Sequence, residues 1–146
     1  MLALAGMAWL CATGAAPAAA APSGPEKRLL DLIDDSRRAH DLPALRDSVS
    51  LWRSARRYSR FMLARDFFGH VATIRASGRF RWRGEALAAY SGWRLRPRRV
   101  LRLWLRSPAH RALVLSRRMR FAGVGAMRGR LGRRRTTVWT LHLGRP

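Results

Sequence analysis

An α+β domain is the fold class this sequence predicts, on three observations. Apolar residues recur at helical spacing up to about residue 115, the pattern changes to alternation beyond residue 120, and a glycine-bounded turn at 129–132 joins the two alternating segments. Helices first and a C-terminal β-hairpin follow from that order. With 146 residues, 48% of them apolar, the chain has material for one core and no room for two sizeable ones.

Residues 1–20 are apolar and small, with Leu2, Leu4, Met7, Trp9 and Leu10 followed by an alanine-rich tail ending Ala18-Ala19-Ala20-Ala21. Such a run closing on an A-x-A site reads as a secretory signal peptide cut after Ala20, with Ala21 as the runner-up. The domain is then 21–146 and its location secreted or periplasmic. The run departs from the usual signal in having no Lys or Arg before it. The competing reading, a membrane anchor, has a short apolar core interrupted by Gly6, Gly14 and Pro17. Cys11 is the only cysteine and lies in this segment, so a cleaved chain has no thiol and is stabilised by packing alone.

Ser23-Gly24-Pro25-Glu26 has the form of a capping box and opens a helix predicted to run to about His40. Leu29, Leu30, Leu32 and Ile33 make its apolar side, and Asp31, Asp34 and Asp35 sit early, where carboxylates suit the helix dipole. Pro43 breaks the helical pattern across 41–45. A second helix is predicted over 48–66, with Leu51, Ala55, Tyr58 and Met62 on one face. The stretch 67–84, punctuated by Gly69, Gly78 and Gly84, reads as an ordered loop. Pro97 starts a third helix with the stripe Val100, Leu101, Trp104 and Leu105. Ser107-Pro108 ends it and begins a short fourth, since Ser suits the N-cap and Pro the first turn. A strand over 121–127 carries two glycines that permit close backbone approach, and a second over 136–143 alternates Thr137, Trp139, Leu141 and Leu143.

The charge is extreme: 30 basic against 8 acidic side chains, a formal +22, with Lys27 the only lysine. It implies attraction to polyanions, whether nucleic acid, anionic lipid or acidic cell-wall polymers. The arginines are spread through every segment, which equally fits a solvated surface encoded by a GC-rich genome. Among the tryptophans, Trp104 and Trp139 fit core stripes and Trp93 is expected to anchor a loop in the core. Trp82, between Arg81 and Arg83, fits the core or a surface that stacks on bases, sugars or a lipid interface.

The ordered segments Asp66-Phe67-Phe68-Gly69-His70, Gly84-Glu85, Trp104 to Arg111 through Ser107-Pro108-Ala109-His110, Phe121-Ala122-Gly123-Val124-Gly125 and Val138-Trp139-Thr140 together resemble the CAP superfamily (SCP domain), in its bacterial secreted branch. The link Leu42-Pro43-Ala44-Leu45 is similar to the family's connection between its first two helices. The resemblance covers nearly all of 21–146 and implies a three-layer α-β-α sandwich with a shallow cleft built from His70, Glu85 and His110, and Ser107 beside them. Departures are Ala86 after the glutamate, Val71-Ala72 after the first histidine, Ala109 before the second, and Leu141-His142-Leu143 in the closing strand. Ser107 stands where many eukaryotic members carry a second glutamate.

Two neutral imidazoles can hold a divalent ion, zinc or magnesium, with water completing the shell; His70 and His110 are the expected ligands. His110 falls in the first turn of the fourth helix, where the dipole disfavours imidazolium. Glu85 is the only Asp or Glu after Asp66, in an arginine-crowded stretch. Singly, these residues also fit a loop histidine, a helix-start residue and an ion-pair partner for Arg81 or Arg83. His40 and His142 read as structural. The sequence places no serine or cysteine nucleophile beside a matched base, which favours a non-enzymatic binding module for a lipid or an acidic cell-envelope polymer. An anionic membrane surface is a further expected partner, nucleic acid is not expected as the main one, and a monomer is expected. The alternative is a metal-assisted hydrolase of peptide or cell-wall material, with Glu85 activating water.

Overall fold

A computed structural model describes residues 24–71, 73–75 and 80–146. The expected signal peptide, and Ser23 of the expected capping box, lie outside the described residues. The described residues form four helices and four strands: α1 (Gly24–Arg38), β1 (Arg46–Asp47), α2 (Val49–Ala64), β2 (Trp82–Ser91), α3 (Pro97–Arg106), α4 (Pro108–Val114), β3 (Phe121–Leu131) and β4 (Arg134–Arg145). The sheet order is β1-β3-β4-β2. Strand β1 runs parallel to β3, and the other neighbours are antiparallel.

The result is a three-layer α-β-α sandwich. Alternation along β4 divides its side chains between the layers. Trp139, Leu141 and Leu143 join Leu29, Leu30, Ile33, Val100 and Trp104 in the larger core, under α1 and α3. Val138 points the other way, to Tyr58 and Met62 of α2. On that same face Thr140 bonds to Ser59 of α2 at 2.8 Å. Because β4 is central and covered on both sides, residues 136–144 are all buried.

Helix α2 lies close on β3 because the strand offers glycine at the contact. A Cβ on Gly123 would stand 2.1 Å from the Trp52 nitrogen, and one on Gly125 would stand 2.5 Å from the Ala55 carbonyl carbon. Backbone of the helix, not a movable side chain, fills both places.

Several local expectations need correction. Helix α1 ends at Arg38, before His40; Asp41 then adopts φ 54°, and the Leu42 amide returns to the Arg37 carbonyl. Glu26, in the first turn of α1, also reaches beyond its own helix. It is buried, pairs with Arg56 of α2 and accepts the Ala126 amide at 3.0 Å. Asp34 likewise leaves its helix to accept the Leu45 amide at 2.9 Å, which closes the link containing Pro43. Ser107 occupies the N-cap position of α4, but its hydroxyl makes no capping bond. Trp93 is 45% exposed, and Trp82 is 55% exposed. The largest correction is β2, a ten-residue strand where loop was expected up to Gly84. Half of its residues are Gly, Glu and Ala, which are depleted in strands; its pairing with β4 supplies the structure.

Candidate functional site

Strand β2 is the edge of the sheet, and its pleat sends neighbouring residues to opposite layers. Gly84 faces α4, where a Cβ would meet Leu113. Glu85 therefore faces the α2 layer. Its register partner on β4 is His142. Residues opposed across two strands share a face, so the two side chains meet, with His142 Nε2 2.7 Å from Glu85 Oε2.

The other oxygen of Glu85 bonds His70 Nδ1, also at 2.7 Å. His70 follows α2 and is exposed, whereas the Glu85 side chain is only 6% exposed. Beyond His70 stands His110 of α4, its ring centroid 6.4 Å away and tilted by 43°. Burial, and then the nearby His70, hold the His110 imidazole below the ordinary histidine range, which favours the neutral ring. On the inner side, His142 Nδ1 lies 3.0 Å from Ser54 Oγ of α2. The four groups form one line from surface to interior: His70, Glu85, His142, Ser54.

A carboxylate only accepts hydrogen bonds, so Glu85 orients both rings. His70 donates to it from Nδ1, which leaves Nε2 as the acceptor of a neutral ring. His142 donates from Nε2, which leaves Nδ1, facing Ser54, as the acceptor of a neutral ring. Both His142 nitrogens are engaged, and the ring is 1% exposed.

Beside this line is a cavity of about 440 Å³, whose wall includes Ser54, Arg57, Tyr58, Phe61, Ile74 and His142. Val71 and Glu85 also reach it. Residues 54, 57, 58 and 61 are one face of α2 at helical spacing. Burial and the Glu85 charge both raise the Tyr58 hydroxyl above its ordinary range, so it stays protonated; it donates to the Gly69 carbonyl.

Of the sequence-derived candidates, His70, Glu85 and His110 come together at the rim of the sheet. Ser107 makes no side-chain bond to them. The structure adds two residues to them, His142, which reads as structural in the sequence, and Ser54. His142 had one available signal, its place in a closing strand otherwise filled by apolar residues and threonine; Ser54 had none, being one small residue on a helix face. In place of an ion pair with Arg81 or Arg83, Glu85 makes its two histidine bonds. As a metal centre the donor set is thin. Both Glu85 oxygens are taken by imidazole nitrogens, and among the described residues no group of three His, Cys, Asp or Glu is placed to hold an ion. What fits an ion is the pair His70 and His110, with Glu85 behind His70 as its orienting carboxylate.

A family model for CAP, the cysteine-rich secretory protein family, matches residues 30–143. No curated protein matches the sequence. Among solved structures, the chain is similar to an extracellular SCP-domain protein from Bacillus anthracis, with TM-score 0.67 and 23% identity, covering 84% of this chain and 41% of that one. It is similar to an outer surface protein from Borrelia burgdorferi, with TM-score 0.67 and 20% identity over 86% of this chain and 96% of that one. Venom allergen-like protein 4 from Schistosoma mansoni matches with TM-score 0.65 and 13% identity over 85% and 91%. The chain thus spans less than half of the Bacillus protein. The TM-scores establish a common fold.

Proposed function

Since the chain belongs to the cysteine-rich secretory protein (CAP) family, we propose that it is an exported binding module that holds an acyl-bearing cell-envelope amphiphile in the cavity beside Glu85 and His142. The observation that carries this reading is the chemistry of the cavity wall. Phe61, Val71 and Ile74 supply apolar surface, and Arg57 and Arg75 supply positive charge for an anionic headgroup. Phe61 and Val71 of this wall, and Phe67 and Phe68 between them in sequence, are all more than a third exposed. Exposed aromatic side chains among arginines suit contact with an anionic lipid surface, in keeping with the net charge of +22.

Export rests on the apolar segment 1–20 and on relatives of like fold described as extracellular or outer surface proteins. N-terminal sequencing of protein recovered outside the cytoplasm should begin at Ala21. A divalent ion, zinc foremost, is held weakly by His70 and His110 at the rim. Metal-assisted hydrolysis through Glu85 is the weaker alternative, because both carboxylate oxygens are occupied by histidines.

The test is titration of the exported chain with a fluorescent long-chain fatty acid. Wild type binds, and Phe61→Asp or Ile74→Asp lowers affinity by about tenfold or more, near 1.4 kcal/mol. Binding unchanged in both variants overturns the cavity as the site.

A further inference from the structure

We propose that Ser54, His142 and Glu85 form an acyl-transfer triad and that the chain hydrolyses esters of apolar acyl groups. The inference goes beyond binding and takes from that reading only the class of occupant. It overturns the expectation that no serine has a matched base.

Three residues from three elements supply the parts. Ser54 Oγ is 3.0 Å from His142 Nδ1, and His142 Nε2 is 2.7 Å from Glu85 Oε2. With Nε2 bearing the proton toward Glu85, Nδ1 is the ring's acceptor, and the hydrogen between it and Ser54 comes from the hydroxyl. The serine is thus hydrogen-bonded to a base, and the base to a carboxylate able to stabilise an imidazolium. These are the roles of a Ser-His-acid triad with the two ring nitrogens exchanged: the serine meets Nδ1 and the acid Nε2, where the usual triad has the serine on Nε2 and the acid on Nδ1. All three residues line one cavity, so a reacting carbonyl can be placed beside them. The other buried serine of α2 gives a contrast: Ser59 bonds Thr140 and the Gly125 carbonyl and meets no base. Arg57, three residues from Ser54 on the same helix face, brings a guanidinium to the cavity where negative charge would develop.

In the first step, Ser54 Oγ bonds to the ester carbonyl carbon while its proton moves to His142 Nδ1. The carbon–oxygen bond to the alcohol then breaks, and His142 returns the proton to the leaving oxygen. Water attacks the acyl-serine with the same base, releasing the carboxylic acid and restoring Ser54. No oxidant or cofactor is consumed.

The experiment treats the exported chain with a fluorophosphonate probe, maps the labelled peptide by mass spectrometry, and follows hydrolysis of p-nitrophenyl esters of increasing acyl length. The expected result is label on Ser54, with kcat/KM falling about 1000-fold or more in Ser54→Ala and in His142→Gln. Ser59→Ala keeps both label and activity. Ser54→Ala removes one oxygen atom, and a circular dichroism spectrum matching wild type shows that its fold persists. Wild type that binds the fatty acid but takes no label, or takes it elsewhere than Ser54, overturns the triad and leaves the binding function standing. Label on Ser54 without fatty-acid binding supports the triad and overturns the binding reading.

Discussion

Glu85 and His142 face one another in register across β2 and β4, joined by a 2.7 Å hydrogen bond in the buried layer between sheet and α2. The same carboxylate reaches out to His70, so one acidic residue, the last in the chain, links an exposed histidine to a buried one.

Replacing Glu85 by Gln should therefore destabilise the domain. A carboxamide has one oxygen and one NH2, and cannot accept from two imidazoles as the carboxylate does. At least one ring must change tautomer or lose its partner. A loss of about 1–3 kcal/mol in urea denaturation is expected; an unchanged midpoint would show that the pairing contributes nothing to the fold.

Zinc binding should depend on the rim and hardly on the interior. His70→Ala and His110→Ala are each expected to abolish it in calorimetric titration, because a single imidazole remains. Glu85→Gln should weaken it about 10- to 100-fold by releasing the orientation of His70. Ser54→Ala should leave it unchanged. Retention of zinc binding in both histidine variants would place the ion elsewhere.

Gly123→Ala and Gly125→Ala should prevent normal folding. Each new methyl would occupy space held by α2 backbone, at 2.1 Å from Trp52 N and 2.5 Å from Ala55 C respectively. Small overpacking costs about 1–3 kcal/mol where side chains can shift, and here a helix must move. Gly132→Ala meets no such neighbour; its cost comes only from the left-handed φ of 56°. Thermal melts of the three variants should rank Gly132→Ala well above the others.

Asp34 offers a pH-dependent case. Burial raises its carboxyl above the ordinary Asp range, while the Leu45 amide and Arg37 oppose that shift. With the folded value above the unfolded one, the native state holds more protons in the interval between them. Stability from this group therefore falls as pH rises from 3.8 through the raised folded value. Asp34→Asn removes that dependence and retains an acceptor for Leu45. Asp34→Ala leaves the amide unpaired and should cost about 1–3 kcal/mol at neutral pH. Chemical denaturation across acid pH separates the two; equal losses would remove the hydrogen bond from the explanation.

By itself the sequence determined what depends on neighbours along the chain. Helical spacing of Leu29, Leu30, Ile33, Val100 and Trp104 marked the faces that form the larger core. The alternation from Thr137 to Leu143 marked the closing strand, and the ordered histidine and glycine segments pointed to the family and to the rim residues. Tertiary structure decided what depends on partners distant in sequence. Strand β2 has weak strand propensity and exists because β4 supplies its hydrogen bonds. Glu26 and Asp34 reach partners outside their own helix, Arg56, Ala126 and Leu45, since a buried carboxylate must be paired wherever donors lie. Ser54 and His142 are 88 residues apart. No local pattern signals their meeting, which follows from the register of β2 on β4 and from the close seat that Gly123 and Gly125 allow α2.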